Sequence, residues 1–145
     1  TRRSDAPMSG SASSAVDAAV RAALTVGATL HGRVFVAFSG GVDSTALLLA
    51  ASRVARADGF ELRAFHFDHR LHADSADWAE HCRAQCDALG LPCEIASAVA
   101  PPPPGASLEA WAREVRYGAA AARLTARDVL LTAHHRDDLA ETVLL

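Results

Sequence analysis

Short, uninterrupted apolar runs alternate with stretches of helical periodicity along this sequence, and few architectures accommodate that order. Val34-Phe35-Val36-Ala37-Phe38 is apolar at every position, the pattern of a strand buried on both faces. Turn residues follow it, then an apolar helical stretch to about residue 58. The pattern recurs with a strand over 62–67 and a helix over 75–89, closed by Gly90 where a left-handed backbone suits a helix end. A third strand covers 93–97 and a fourth 129–132. Between them Pro101 to Pro104 lack amide donors and form an extended loop. A helix over 107–125 carries Leu108, Trp111, Ala112, Val115, Ala119 and Ala122 on one face. Val16, Ala19, Val20, Ala23 and Leu24 place a first helix near 14–30, and a last one is expected from about Asp138 to Leu145. Strands alternating with helices predict an α/β fold. We expect a doubly wound, mostly parallel sheet with helices on both faces and the ligand site at the carboxyl ends of its strands.

The chain has 145 residues, half of them apolar, which is enough for one packed core and excludes a wholly disordered or coiled-coil chain. Fourteen basic against seventeen acidic residues leave a net charge of −3, so bulk charge does not drive nucleic-acid binding. Any RNA contact needs a local basic surface. Every basic residue is Arg, which excludes a phosphate-binding or Schiff-base lysine within these residues. Three cysteines, no leader pattern and no apolar run near the ~20 residues of a membrane span point to a reduced cytoplasm and no membrane contact. Cys82 and Cys86 stand one helical turn apart, and without further ligands in register they read as helix-core residues rather than a metal pair. Residues 1–13 are small and polar and are expected to be a flexible tail, with the globular domain over 14–145. The apolar end Thr142-Val143-Leu144-Leu145 carries no cap, as in a domain truncated at its C-terminus.

Four clusters carry chemistry. Ser39-Gly40-Gly41-Val42-Asp43-Ser44 joins a buried strand to a helix. Its glycines let the backbone approach an anion, and the helix start aims free N–H groups and a positive dipole end at the same point. Ser39 and Ser44 add hydroxyls, and Asp43 suits a divalent cation such as Mg²⁺ rather than a bare phosphate. A plain strand-to-helix turn with capping side chains is the ordinary alternative. His66-Phe67-Asp68-His69-Arg70-Leu71 ends the second strand, either as a polar strand end or as a metal-ligand grouping. Arg113, Arg116 and Tyr117 flank the apolar face of the 107–125 helix, either in surface ion pairs with Glu109 and Glu114 or as phosphate-neutralising arginines. His134-His135-Arg136-Asp137-Asp138 with Glu141 and Thr142 follows the fourth strand, where Asp138 and Glu141 also fit a capping box.

These strings resemble one family at several points. SGGVDS after a buried strand looks like the PP-loop of the N-type ATP pyrophosphatases, which adenylate a carbonyl oxygen and release pyrophosphate. HFDH and the E-x-x-A-R-x-x-R-Y spacing are similar to the tRNA(Ile)-lysidine synthetase branch, and H-H-x-D-D-x-x-E-T resembles a motif shared by that branch and the tRNA 2-thiolating branch. Many members of that branch continue HFDH with Gly, Leu and Arg, where Arg70, Leu71 and His72 stand here. The C-x-x-C pair typical of the thiolating branch has no counterpart near the third strand, where the sequence is proline-rich.

The resemblance covers about residues 33–145 and implies an adenine nucleotide alpha hydrolase-like, Rossmann-like catalytic domain, with the family's C-terminal tRNA-binding domains absent from these residues. It implies ATP-dependent joining of free L-lysine to the wobble cytidine of an isoleucine tRNA with a CAU anticodon, with ATP and Mg²⁺ as cofactors. Ser39, Gly40, Gly41, Val42, Asp43 and Ser44 would take the pyrophosphate end of ATP. His66 and Asp68 would border the nucleotide. Asp43 and Asp137 would hold Mg²⁺, Arg113 would neutralise phosphate, and His134 would stand near the adenylate. Assembly as a homodimer is left open. A tRNA 2-thiolation enzyme, a non-catalytic ATP-binding module and a metal hydrolase built on the His and Asp clusters are the alternatives.

Overall fold

The structure, a computed structural model, describes residues 9–26, 32–133 and 141–143. Four helices and five strands follow in the order α1 (Ser9–Val26), β1 (Val34–Ala37), α2 (Val42–Asp58), β2 (Leu62–Asp68), α3 (Ser75–Ala88), β3 (Cys93–Ser97), α4 (Leu108–Arg123), β4 (Val129–Thr132) and β5 (Glu141–Val143). The strands form one sheet in the order β3-β2-β1-β4-β5. All pairings among β1 to β4 are parallel. The chain runs outward from β1 through β2 to β3, then returns to place β4 on the other side of β1. The strand order therefore reverses between β1 and β4, the point at which open α/β sheets leave a crevice for ligands.

Alternation within each strand divides the core into two layers. Val34, Val36, Leu62, Ala64, Val129 and Leu131 pack with residues of α1, α2 and α3 on one face. Phe35, Phe65, Phe67, Ala96 and Leu130 pack with Trp111, Val115 and Ala120 of α4 on the other. Phe35 is fully buried and Phe65 nearly so, each contributing about 1.5–3 kcal/mol over an exposed ring. Burial on both sides accounts for the unbroken apolar runs of β1 and β4.

Away from the ligand edge, Asp128 ties the start of β1 to the start of β4. Its carboxylate accepts from the Arg33 N–H at 2.8 Å, the Arg33 guanidinium at 2.8 Å and the Thr125 N–H at 2.8 Å. Burial alone would raise the Asp128 carboxyl; these donors and the positive charge of Arg33 together outweigh it and hold the group well below the usual carboxylate range.

Two expectations are corrected. The first helix, as described, covers Ser9–Val26 and so reaches into the stretch taken as tail; the last residues of its expected span, 27–30, lie outside the described residues. Ser, Gly and Ala at its start carry no apolar period that would betray a helix. The expected final helix is replaced, where described, by β5, which pairs antiparallel with β4 through Leu130↔Val143, Leu131↔Thr142 and Thr132↔Glu141. The outer edge of β4 offers a row of backbone donors and acceptors, and β-branched Thr142 and Val143 suit an extended backbone.

Candidate functional site

The β1–α2 loop is built around two serines. The Ser39 N–H donates to Ser44 Oγ at 3.1 Å, the two hydroxyls lie 2.9 Å apart, and the Gly41 N–H donates to Ser39 Oγ at 3.2 Å. Gly40 has φ +81, a left-handed backbone that favours glycine. Gly41 caps α2 in an extended conformation, and the Thr45 hydroxyl and N–H both return to its carbonyl at 2.7 and 3.0 Å. The first-turn amides of α2 have no partner within the helix and carry its positive dipole end. Asp43 sits in that first turn, and the Val42 side chain is 86% exposed beside it.

The end of β2 faces this loop. His66 is buried, and its Nδ1 lies 2.8 Å from the Phe38 carbonyl, so Nδ1 carries the proton and donates. Asp68 is buried and accepts the Arg70 N–H at 2.8 Å. Arg70 has φ +56, a left-handed residue with a Cβ. That position is the one at which the resembled pattern carries Gly. His69 Nε2 donates to the Ala112 carbonyl at 3.1 Å and so fastens the end of β2 to α4. His66, Asp68 and His69 are thus each engaged with backbone. No group of three or more potential metal-ligating side chains converges among the described residues.

From the other side α4 supplies Arg113, Arg116 and Tyr117. Ser107 caps this helix, its side chain accepting the Ala110 N–H. The Arg113 and Arg116 guanidiniums lie 5.0 and 5.3 Å from the centre of the Tyr117 ring. Among the described residues neither pairs with a carboxylate, so the surface ion-pair alternative with Glu109 or Glu114 is not what forms. One cleft of about 830 Å³ collects these groups: Ser39, Gly41, Val42, Asp43 and Ser44 of the loop, His66 and Asp68 of β2, Arg113, Arg116 and Tyr117 of α4, and Thr132 at the end of β4. Loop and helix-start amides and arginine charge face a common space, an arrangement suited to holding a polyphosphate.

His134 and Asp137 lie outside the described residues, so their expected places at this cleft are not among the geometry above. The cysteines do not supply a thiol to it. Cys82 and Cys86 are buried in the core, and burial pushes the Cys82 thiol up to about 11. Cys93 opens β3, at the sheet edge opposite the cleft.

Sequence reasoning missed Trp78 of α3, which lines the cleft and donates its indole N–H to the Ser39 carbonyl at 2.7 Å. A Trp within an otherwise mainly polar helical stretch was the available signal.

Comparison with known proteins agrees with this geometry. The tRNA(Ile)-lysidine synthase of Pseudomonas syringae pv. tomato is 50% identical over 111 residues, 76% of this chain and 24% of that protein. That of Alkalilimnicola ehrlichii is 48% identical over 110 residues, 76% of this chain and 25% of the relative. That of Xanthomonas campestris pv. campestris is 46% identical over 129 residues, 87% of this chain and 29% of the relative. The chain spans between about a quarter and three-tenths of these proteins. Residues 14–145 match the PP-loop domain as a whole. With a glycine loop on a helix start, facing arginines that pair with no carboxylate among the described residues across one cleft, the chain belongs to the family of ATP-binding PP-loop domains.

Proposed function

We propose that this chain is the ATP-activating domain of a cytoplasmic tRNA(Ile)-lysidine synthase, with residues 14–145 forming that domain. In the whole protein, the C2 oxygen of the wobble cytidine in a CAU anticodon attacks the α-phosphorus of ATP and pyrophosphate leaves. The amine of free L-lysine then attacks C2 and displaces AMP. The observation that carries this reading is the pairing, across one cleft, of the Ser39–Ser44 loop with Arg113 and Arg116.

The chain's residues have defined work in that reaction. Charge accumulates on the β- and γ-phosphates as the α-phosphorus bond breaks. First-turn amides of α2 and the loop hydroxyls stabilise it from one side, the two arginines from the other. Fixed donors in a cleft need no reorganisation as that charge develops. Asp43 faces the same space, so a Mg²⁺ would be held by Asp43 with Asp137, lowering the repulsion between phosphates. His66, with Nδ1 committed to Phe38, presents Nε2 as its remaining ring atom for the nucleotide. Among the described residues no helix is long and apolar enough to cross a membrane. The buried, protonated Cys82 and the remote Cys93 weigh against thiolation chemistry in this cleft.

The test is transfer of labelled lysine into an isoleucine tRNA with a CAU anticodon, with ATP and Mg²⁺, using the complete gene product. Label retained on the tRNA with stoichiometric AMP and pyrophosphate is the expected result. Pyrophosphate release on tRNA without lysine incorporation would transfer the assignment to another branch of the family.

A further inference from the structure

Trp78 is used nowhere in the reaction above, yet its position is specific. Its ring stacks on His81 with centroids 4.9 Å apart and stays 47% exposed at the cleft. Its one polar atom donates to the loop, at the Ser39 carbonyl. A second, independent contact lies beside it: a Cβ placed on Gly40 would stand 2.8 Å from Trp78 Cζ2. The loop therefore rests directly on the indole, with no room for a side chain between them.

A trans peptide is planar, so its C=O and N–H point in opposite directions. No peptide bond among the described residues is cis. Fixing the Ser39 carbonyl on the α3 side therefore turns the Gly40 N–H to the other side. That amide has no hydrogen-bond partner among the described residues. We propose that Trp78 is a positioning residue of the anion loop: its indole N–H sets the Ser39–Gly40 peptide plane and so presents the Gly40 amide to the pyrophosphate end of ATP. The inference rests on the phosphate-cradle reading of the loop and names the residue that holds its active conformation. Without the indole donor, the peptide can rotate and offer the anion a carbonyl oxygen, which repels it.

The test compares the complete gene product with its W78F and W111F variants. Phe keeps an aromatic ring on α3 and removes the donor together with the outer part of the indole that meets Gly40. The loss of one such hydrogen bond predicts a KM for ATP raised about three- to tenfold in W78F. Because the amide binds phosphate before and during the reaction, kcat should change much less. Thermal stability should stay close to that of the parent. Inorganic pyrophosphate with Mg²⁺ should alter tryptophan emission to the same extent in the parent and in W111F, and to a smaller extent in W78F. A parent KM in W78F, or an emission change that survives in W78F and vanishes in W111F, overturns the role of Trp78 while the cradle stands. A parent protein that neither binds pyrophosphate nor releases it from ATP overturns the cradle reading, and this inference with it.

Discussion

Replacing Gly40 by Ala tests the loop where it is most tightly constrained. Two costs add. At φ +81 a residue with a Cβ pays about 1–2 kcal/mol for the left-handed backbone. The new methyl also lies 2.8 Å from Trp78 Cζ2 and 3.0 Å from Cys82 Sγ. Such overpacking typically costs about 1–3 kcal/mol more. The whole effect is then about 2–5 kcal/mol. Gly59 supplies the control, because it has φ +76 and nothing within 4 Å of an added Cβ. Gly59→Ala therefore carries the backbone cost alone, about 1–2 kcal/mol. Urea denaturation of both variants, alongside pyrophosphate release from ATP, separates the contributions. The Gly40 variant should be the less stable of the two and should lose ATP turnover. The Gly59 variant should keep it. Equal denaturation midpoints for both variants, or parental ATP kinetics in the Gly40 variant, would show that the loop does not rest on α3 as described.

Three other substitutions probe different parts of the molecule. Asp43→Ala should abolish pyrophosphate release with little change in melting temperature, since a first-turn carboxylate contributes only about 0.3–1 kcal/mol to its helix; retained turnover in a steady-state assay removes Asp43 from the metal role. Asp128→Asn should destabilise the fold by about 2–4 kcal/mol at neutral pH by breaking a buried charged network. Because the Asp128 carboxyl is depressed in the folded state, its contribution is present above the ordinary carboxylate value near 4 and fades as pH falls below it. The gap in melting temperature between parent and variant should therefore narrow from pH 7 toward pH 2, and a gap constant across that range contradicts the assignment. Arg70→Gly should relieve the φ +56 strain and stabilise the protein by up to about 1 kcal/mol, measurable by calorimetry; a clear loss of stability would show that the Arg70 side chain is held by contacts.

The sheet and its helices were legible because burial on two faces leaves unbroken apolar runs, and β1 to β4 lie within a residue of where those runs fall. The PP-loop was legible because its glycines and hydroxyls are contiguous. What escaped depends on contacts between distant residues. The bond from Trp78 to Ser39 spans 39 positions and that from Arg33 to Asp128 spans 95, and neither leaves a periodic trace. His66 and His69 looked like ligands as a string, yet both ring donors end on backbone carbonyls of other elements. Only the three-dimensional path of β1 and α4 reveals that. The start of α1 escaped for a different reason: residues of Ser, Gly and Ala have no apolar face to count.

The position of β4 beside β1 has a consequence for how the molecule assembles. Neighbouring β1 and β2 are joined across a sequence separation of 28, as in His66 to Phe38. Neighbouring β1 and β4 are joined across 95, as in Arg33 to Asp128. Closing the longer loop costs about 1 kcal/mol more in chain entropy, and non-local pairings of this kind slow folding. The pairing of β1 with β4 is therefore entropically the costlier of the two. During synthesis the glycine loop emerges with α2 and β2 well before the strand that completes its surroundings. A nucleotide that binds this crevice would favour the completed sheet over its open precursors by mass action.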